Sequence, residues 1–130
     1  MEVTPASQYK KLHRKLVKLP SDAVFEIRKI PRRLFFELAD IIPQIQKVKP
    51  NDVLTKEQTE AFQTLYNKLL TNCVTKPKIV LSNPKEDELS IDDIPLEDQM
   101  SLTTEIFNFS GLSAAAEEAR KNLPQVELAK

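Results

Sequence analysis

The side chains best placed to do chemistry are one histidine, one cysteine and a run of carboxylates. His13 lies in a basic segment with no second ligand or nucleophile beside it, and reads as a surface residue. Cys73 follows Phe62, Leu65 and Leu69 at helical spacing, which puts it on an apolar stripe. A thiol there is buried and un-ionised, and an un-ionised thiol is a poor nucleophile. With a single cysteine no intrachain disulfide can form, which fits a reducing compartment. Glu86, Asp87, Glu88, Asp92, Asp93, Glu97 and Asp98 are dense enough to raise a hard-cation site. The EF-hand spacing and its central glycine are absent, and loop solvation with helix capping accounts for the same residues. No cofactor, no metal and no catalytic constellation are expected, so the chain reads as a non-enzyme.

Charge is balanced overall but not along the chain. Residues 1–50 carry 11 Lys/Arg against 5 Asp/Glu, and residues 51–130 carry 8 against 14. The basic residues over 10–18 and 28–33 could neutralise phosphates. No helix-turn-helix, RNP or zinc pattern accompanies them, which argues against nucleic acid. A chain with opposite charge in its two halves can instead pair head to tail with copies of itself. No apolar run reaches the ~20 residues that a membrane helix needs, and no signal peptide is evident.

These groups sit on a chain of 130 residues, 41% apolar and 29% charged, enough for one modest core. Gly111 is the only glycine, which argues against glycine-rich phosphate loops. Nine prolines keep the elements short. Residues 1–12 read as a flexible N-terminal segment, with Thr4-Pro5 able to start a turn of helix. Residues 13–111 read as a single compact domain. A β-hairpin is expected over 14–30, its turn made by Leu19-Pro20-Ser21-Asp22. Val17 and Leu19 share one face, and Phe25 and Ile27 share the matching face of the return strand. Asp22 is suited to a left-handed conformation.

Pro31 opens a helix over about 31–42, with Leu34, Leu38, Ile41, Ile45 and Val48 at helical spacing. Pro43 ends or kinks it, because proline inside a helix costs ~3 kcal/mol. Thr55 to Gln58 forms a capping box for a helix over 56–74. Residues 75–94 read as extended or looped, with a short strand near Ile79 to Leu81. A third helix is expected over 94–109, capped by Asp92 or Asp93 and stopped by Gly111. Its stripe is Leu96, Met100, Thr103 and Phe107, and Glu97 and Asp98 suit its positive dipole end. Residues 112–130 read as a short Ala-rich helix and a disordered tail. The fold class is α+β, mainly helical, with an N-terminal hairpin packed on three to four short helices. Phe35, Phe36, Ile41 and Ile42 give the second element more apolar surface than one face can hide, which marks them as candidate partner-binding residues.

Several pieces occur together: "KLPSDAVFEIRKIP", "RLFFELADIIP", a capped helix running to "NCVTKPKI", then "EDELSIDDIPLEDQMSLTTEIFNFSG" and a polar tail. In this order they resemble the small tail assembly chaperones of long-tailed bacteriophages, over residues 12–112. The family turn often has glycine where this chain has Asp22. The resemblance implies a non-catalytic protein of the infected host's cytoplasm. It would bind the tape measure protein, recruit tail tube subunits and be absent from the mature virion. It also implies a longer form made by ribosomal frameshifting. Two other classes of function stand beside it. One is a structural tail or head-joining subunit retained in the virion; the other is a small host-interaction or nucleic-acid-binding protein.

Overall fold

The computed structural model describes residues 1–46 and 53–112. It is an α+β fold, and the elements follow the proline and capping signals closely. The hairpin forms from β1 (Arg14–Lys18) and β2 (Val24–Arg28), antiparallel, with Val17 opposite Phe25 and Lys15 opposite Ile27. The Leu19 N–H donates to the Ala23 carbonyl and the Asp22 N–H to the Leu19 carbonyl, closing the turn. Asp22 takes a φ of 72°, the left-handed conformation its short polar side chain tolerates. Strand periodicity of two then decides burial. Val17, Leu19, Phe25 and Ile27 face the core, while Leu16 and Val24 face outward.

The hairpin is not alone. A third strand, β3 (Val74–Lys76), pairs antiparallel with β2, with a register irregularity between Glu26 and Ile27. Thr75 sits at this irregularity and donates its hydroxyl to the Glu26 carboxylate at 2.6 Å and to the Glu26 carbonyl at 3.1 Å. β2 is therefore a central strand, which removes the marginality of an isolated hairpin. Of residues 75–94, expected as loop with one short strand near Ile79 to Leu81, that strand forms as β4 (Lys78–Val80), and an unexpected β5 (Glu88–Ser90) pairs with it in parallel. Glu88-Leu89-Ser90 has one apolar residue and too little periodicity to be read as a strand from sequence. The Lys85 N–H donates to the Glu88 carboxylate at 2.9 Å. That bond holds the Glu88 carboxyl below its ordinary range, with the Lys78 charge across the strand pair acting the same way.

Residues 6–12, within the segment expected to be flexible, form α1 (Ala6–Leu12), a helix with every residue exposed. The helix expected over 31–42 is two helices, α2 (Arg32–Leu38) and α3 (Ile42–Gln46). Pro43 is the reason. In a continuous helix its ring would clash with the Ala39 carbonyl, whereas in the first turn of a new helix its missing N–H does no harm. Val48 of the expected stripe, and the helix and tail expected over 113–130, lie outside the described residues.

α4 (Lys56–Cys73) begins at the expected capping box, with both reciprocal bonds made: Gln58 N–H to the Thr55 hydroxyl, and Thr55 N–H to the Gln58 side chain. It buries Ala61, Phe62, Leu65, Leu69, Leu70 and Cys73. α5 (Leu96–Phe109) starts later than expected, because Ser90 and Asp93 first cap a separate 3-10 turn over Ile91–Asp93. Asp93 thus serves that turn and not α5. The buried face of α5 is Asp98, Leu102, Thr103, Ile106 and Phe107, while Leu96 is 53% exposed, so the expected stripe is displaced. Gly111 ends the helix region with a φ of 80°.

Two polar ties align α5 with the hairpin. At the turn, the Ser21 hydroxyl donates to Asp98 at 2.6 Å and the Ser21 N–H donates to the same carboxylate at 3.2 Å. At the open end, the Ile30 N–H donates to the Ser110 hydroxyl at 2.8 Å. The hairpin therefore runs along the length of α5, with its turn at the N-terminal end of the helix.

Candidate interaction surface

The candidate chemical groups come to rest on packing positions. Cys73 is fully buried, and burial pushes its thiol up to about 12, opposed in part by the nearby Arg28 guanidinium. The native thiol is therefore expected not to react with a thiol-specific reagent at mildly alkaline pH, and to react fully once the chain is unfolded. Appreciable labelling of the folded protein near pH 8 would contradict the burial. A thiol raised in the folded state also has a defined linkage sign. Its contribution is fully present below its ordinary pKa and is lost as pH rises toward about 12. His13 packs against Tyr9 in a tilted arrangement, ring centroids 4.4 Å apart. Among the described residues no group of three or more His, Cys, Asp or Glu side chains could hold a metal ion. The acidic residues are distributed between caps, loop and the Ser21 tie.

The four candidate partner-binding residues divide into two pairs. Phe35 and Phe36 lie on the outward side of α2, 40% and 64% exposed, with ring centroids 5.8 Å apart and an edge-on arrangement. Their neighbours Leu34 and Leu38 turn inward and are buried. Ile41 and Ile42 are half-buried and pack against the core, because the break before Pro43 folds the chain back there. Thus Phe35 and Phe36 form an exposed aromatic ridge, while Ile41 and Ile42 belong to the edge of the core.

A second apolar feature was not picked out in the sequence. A groove of about 660 Å³ runs between α4 and α5. One wall is Phe62 and Tyr66 of α4, with Thr59, Gln63 and Asn67 beside them. The other is Leu96, Gln99 and Met100 of α5, and Leu54, Leu81, Ile91 and Asp92 complete the lining. On α4 these positions recur at three- and four-residue spacing, so the wall is a helix face adjoining the core face. Gln99 fixes the far wall by donating to the carbonyls of Ile91 and Ile94 at 3.0 and 2.9 Å. The available signal was Leu96 and Met100 on the expected α5 stripe. They are apolar because they line the groove, not because they enter the core. Phe35 and Phe36 do not line it.

A third feature is basic. Tyr9, Lys10, His13, Arg14, Arg28, Lys29, Ile30 and Pro31 line a cleft of about 640 Å³ where α1 meets the open end of the hairpin. Among the described residues no carboxylate lines it. The Lys29 N–H donates to the His13 carbonyl at 3.3 Å, closing the strands behind the cleft.

Residues 43–127 match a family described as Family of unknown function (DUF7391). The match takes in all of the groove residues and none of the basic cleft residues. No curated protein and no solved structure is found similar to the chain.

Proposed function

The chain belongs to this family of unknown function, and we propose, from its surfaces, that it is a non-catalytic tail assembly chaperone that holds an apolar-striped helix of a tape measure protein. The observation that carries the reading is the groove between α4 and α5. Its lining sets apolar side chains at helical spacing among the polar Thr59, Gln63, Asn67, Asp92 and Gln99, and its volume is that of a site for a few side chains. This is the geometry that helix-in-groove recognition uses, with anchors one turn apart entering a groove between two helices. The exposed Phe35–Phe36 ridge adds a second apolar surface on another element. A tape measure is a long helix whose apolar stripe aggregates unless covered, so a small domain with such surfaces suits it. The resemblance in element order supports the same reading. On it, the protein acts in the host cytoplasm, recruits tail tube subunits and leaves before the particle is complete. The alternative of a structural subunit retained in the virion uses the same surfaces.

Co-expression with the tape measure protein tests the proposal. The wild-type chain should keep the tape measure protein soluble and co-purify with it. Leu96→Asp puts a charge on the groove wall at an already exposed position and should weaken that binding at least tenfold, about 1.4 kcal/mol. Phe36→Asp should weaken it as well, with circular dichroism unchanged for both variants. A folded Leu96→Asp variant that binds as well as wild type removes the groove from the proposal. Stoichiometric recovery of the chain from purified virions by mass spectrometry would replace the chaperone with the structural subunit.

A further inference from the structure

We infer that the basic cleft between α1 and the open end of the hairpin is a self-association site that receives the acidic corner around the 3-10 turn of a second copy of this chain. The cleft offers Lys10, Arg14, Arg28 and Lys29, with no carboxylate among the described residues that line it. These cations are only partly engaged within the chain. Arg28 uses its Nε on the Asn72 carbonyl at 2.8 Å, Arg14 reaches Glu26 only at 3.9 Å, and Lys29 lies over the Phe109 ring. Tyr9 and His13 give the cleft an apolar wall. The occupant must be anionic, and the chain itself presents one. Glu86, Asp87, Asp92 and Glu97 are exposed around β5, the 3-10 turn and the start of α5.

The fold keeps these two surfaces apart. Ser21 and Asp98 tie the hairpin turn to the N-terminal end of α5, and Ile30 and Ser110 tie its open end to the C-terminal end. α5 has 14 residues, which at 1.5 Å per residue is about 21 Å. Cleft and acidic corner therefore sit at opposite ends of the same helix, beyond the roughly 10 Å screening length at about 0.1 M salt. One copy cannot bring its own two ends together. A second copy can, and the contact is then heterologous: one subunit of the pair keeps an unused corner and the other an unused cleft, so the assembly extends or closes into a ring. Opposite charge in the two halves of a neutral chain is what such a contact requires. Of the residues named here only Asp92 also lines the α4–α5 groove, and the inference stands if the groove proves to bind nothing.

Sedimentation velocity of the full chain tests it. The wild type should form concentration-dependent oligomers whose association weakens at least ~tenfold between about 0.1 M and about 1 M salt, as the screening length falls from about 10 Å to about 3 Å. Lys10→Glu with Lys29→Glu reverses the cleft, and Glu86→Lys with Asp87→Lys and Glu97→Lys reverses the corner. All five side chains are exposed, so both variants should fold. Each variant alone should be monomeric, and an equimolar mixture should associate again. Oligomers indifferent to salt and to both reversals would overturn the inference, as would a wild type that stays monomeric at low salt. Salt-sensitive binding of a single-stranded DNA oligonucleotide, lost on cleft reversal while the wild type stays monomeric, would assign the cleft to nucleic acid instead. Variants that lose self-association but still hold the tape measure protein would separate this contact from the proposed function.

Discussion

Replacing Asp98 with alanine is expected to destabilise the fold by about 2–3 kcal/mol, in the upper range for hydrogen bonds to a charged partner. Asp98 is a carboxylate only 4% exposed, and it accepts both the hydroxyl and the N–H of Ser21. Removing it leaves the Ser21 donors without their acceptor and frees the hairpin turn from α5. Urea unfolding followed by circular dichroism gives the change directly. Ser21→Ala removes one of the two bonds but leaves the carboxylate buried with a weakened partner set. It should therefore destabilise too, and the double variant should lose less than the sum of the two. Strict additivity would mean that the two residues do not act as a pair. An Asp98→Ala variant as stable as wild type would mean that the turn is held by apolar packing alone.

The second large effect lies on β2. Ile27→Ala should destabilise by about 2–5 kcal/mol, because a buried aliphatic side chain is lost and the site cannot fully collapse around the cavity. Ile27 is 0% exposed on the central strand of the sheet. Val24→Ala, three residues away on the opposite face, should change stability by less than about 0.5 kcal/mol, since Val24 is 57% exposed. The contrast within one strand reports the register. Similar losses at both positions would mean that the outer face is covered. A one-residue slip of the pairing would exchange the two faces and invert the result. Against a total stability of roughly 5–15 kcal/mol, the larger loss should be evident as a lowered thermal midpoint.

Local signals were legible where one residue type has one use. Thr55 and Gln58 have the spacing of a capping box, and both bonds form. Asp22 could take a positive φ and does, and Gly111 does the same at the end of the helix region. The alternation Phe25-Glu26-Ile27 placed its apolar members inward. Signals failed where the answer depended on a neighbour. Pro43 forbade a continuous helix, but where the chain would break and restart depended on packing between Leu38 and Ile42. Leu96 and Met100 share a helix face by period, yet the period does not say whether that face meets the core or a groove. Asp98 had the look of a dipole-compensating residue, and its partner is 77 residues away.

The sequence by itself determined the α+β class, the hairpin with its turn, the capped helix and the helix stop at Gly111. Each depends on interactions within a few residues, whose energetics are the same in any surroundings. It also determined that the two halves carry opposite charge. Only the tertiary structure decided that β3 joins the hairpin, that Asp98 latches the turn, and that α4 and α5 leave an apolar groove between them. It alone placed the basic cleft and the acidic corner at opposite ends of α5. These are long-range pairings, and a chain pattern fixes only what each partner can accept, not which distant partner the packing brings to it.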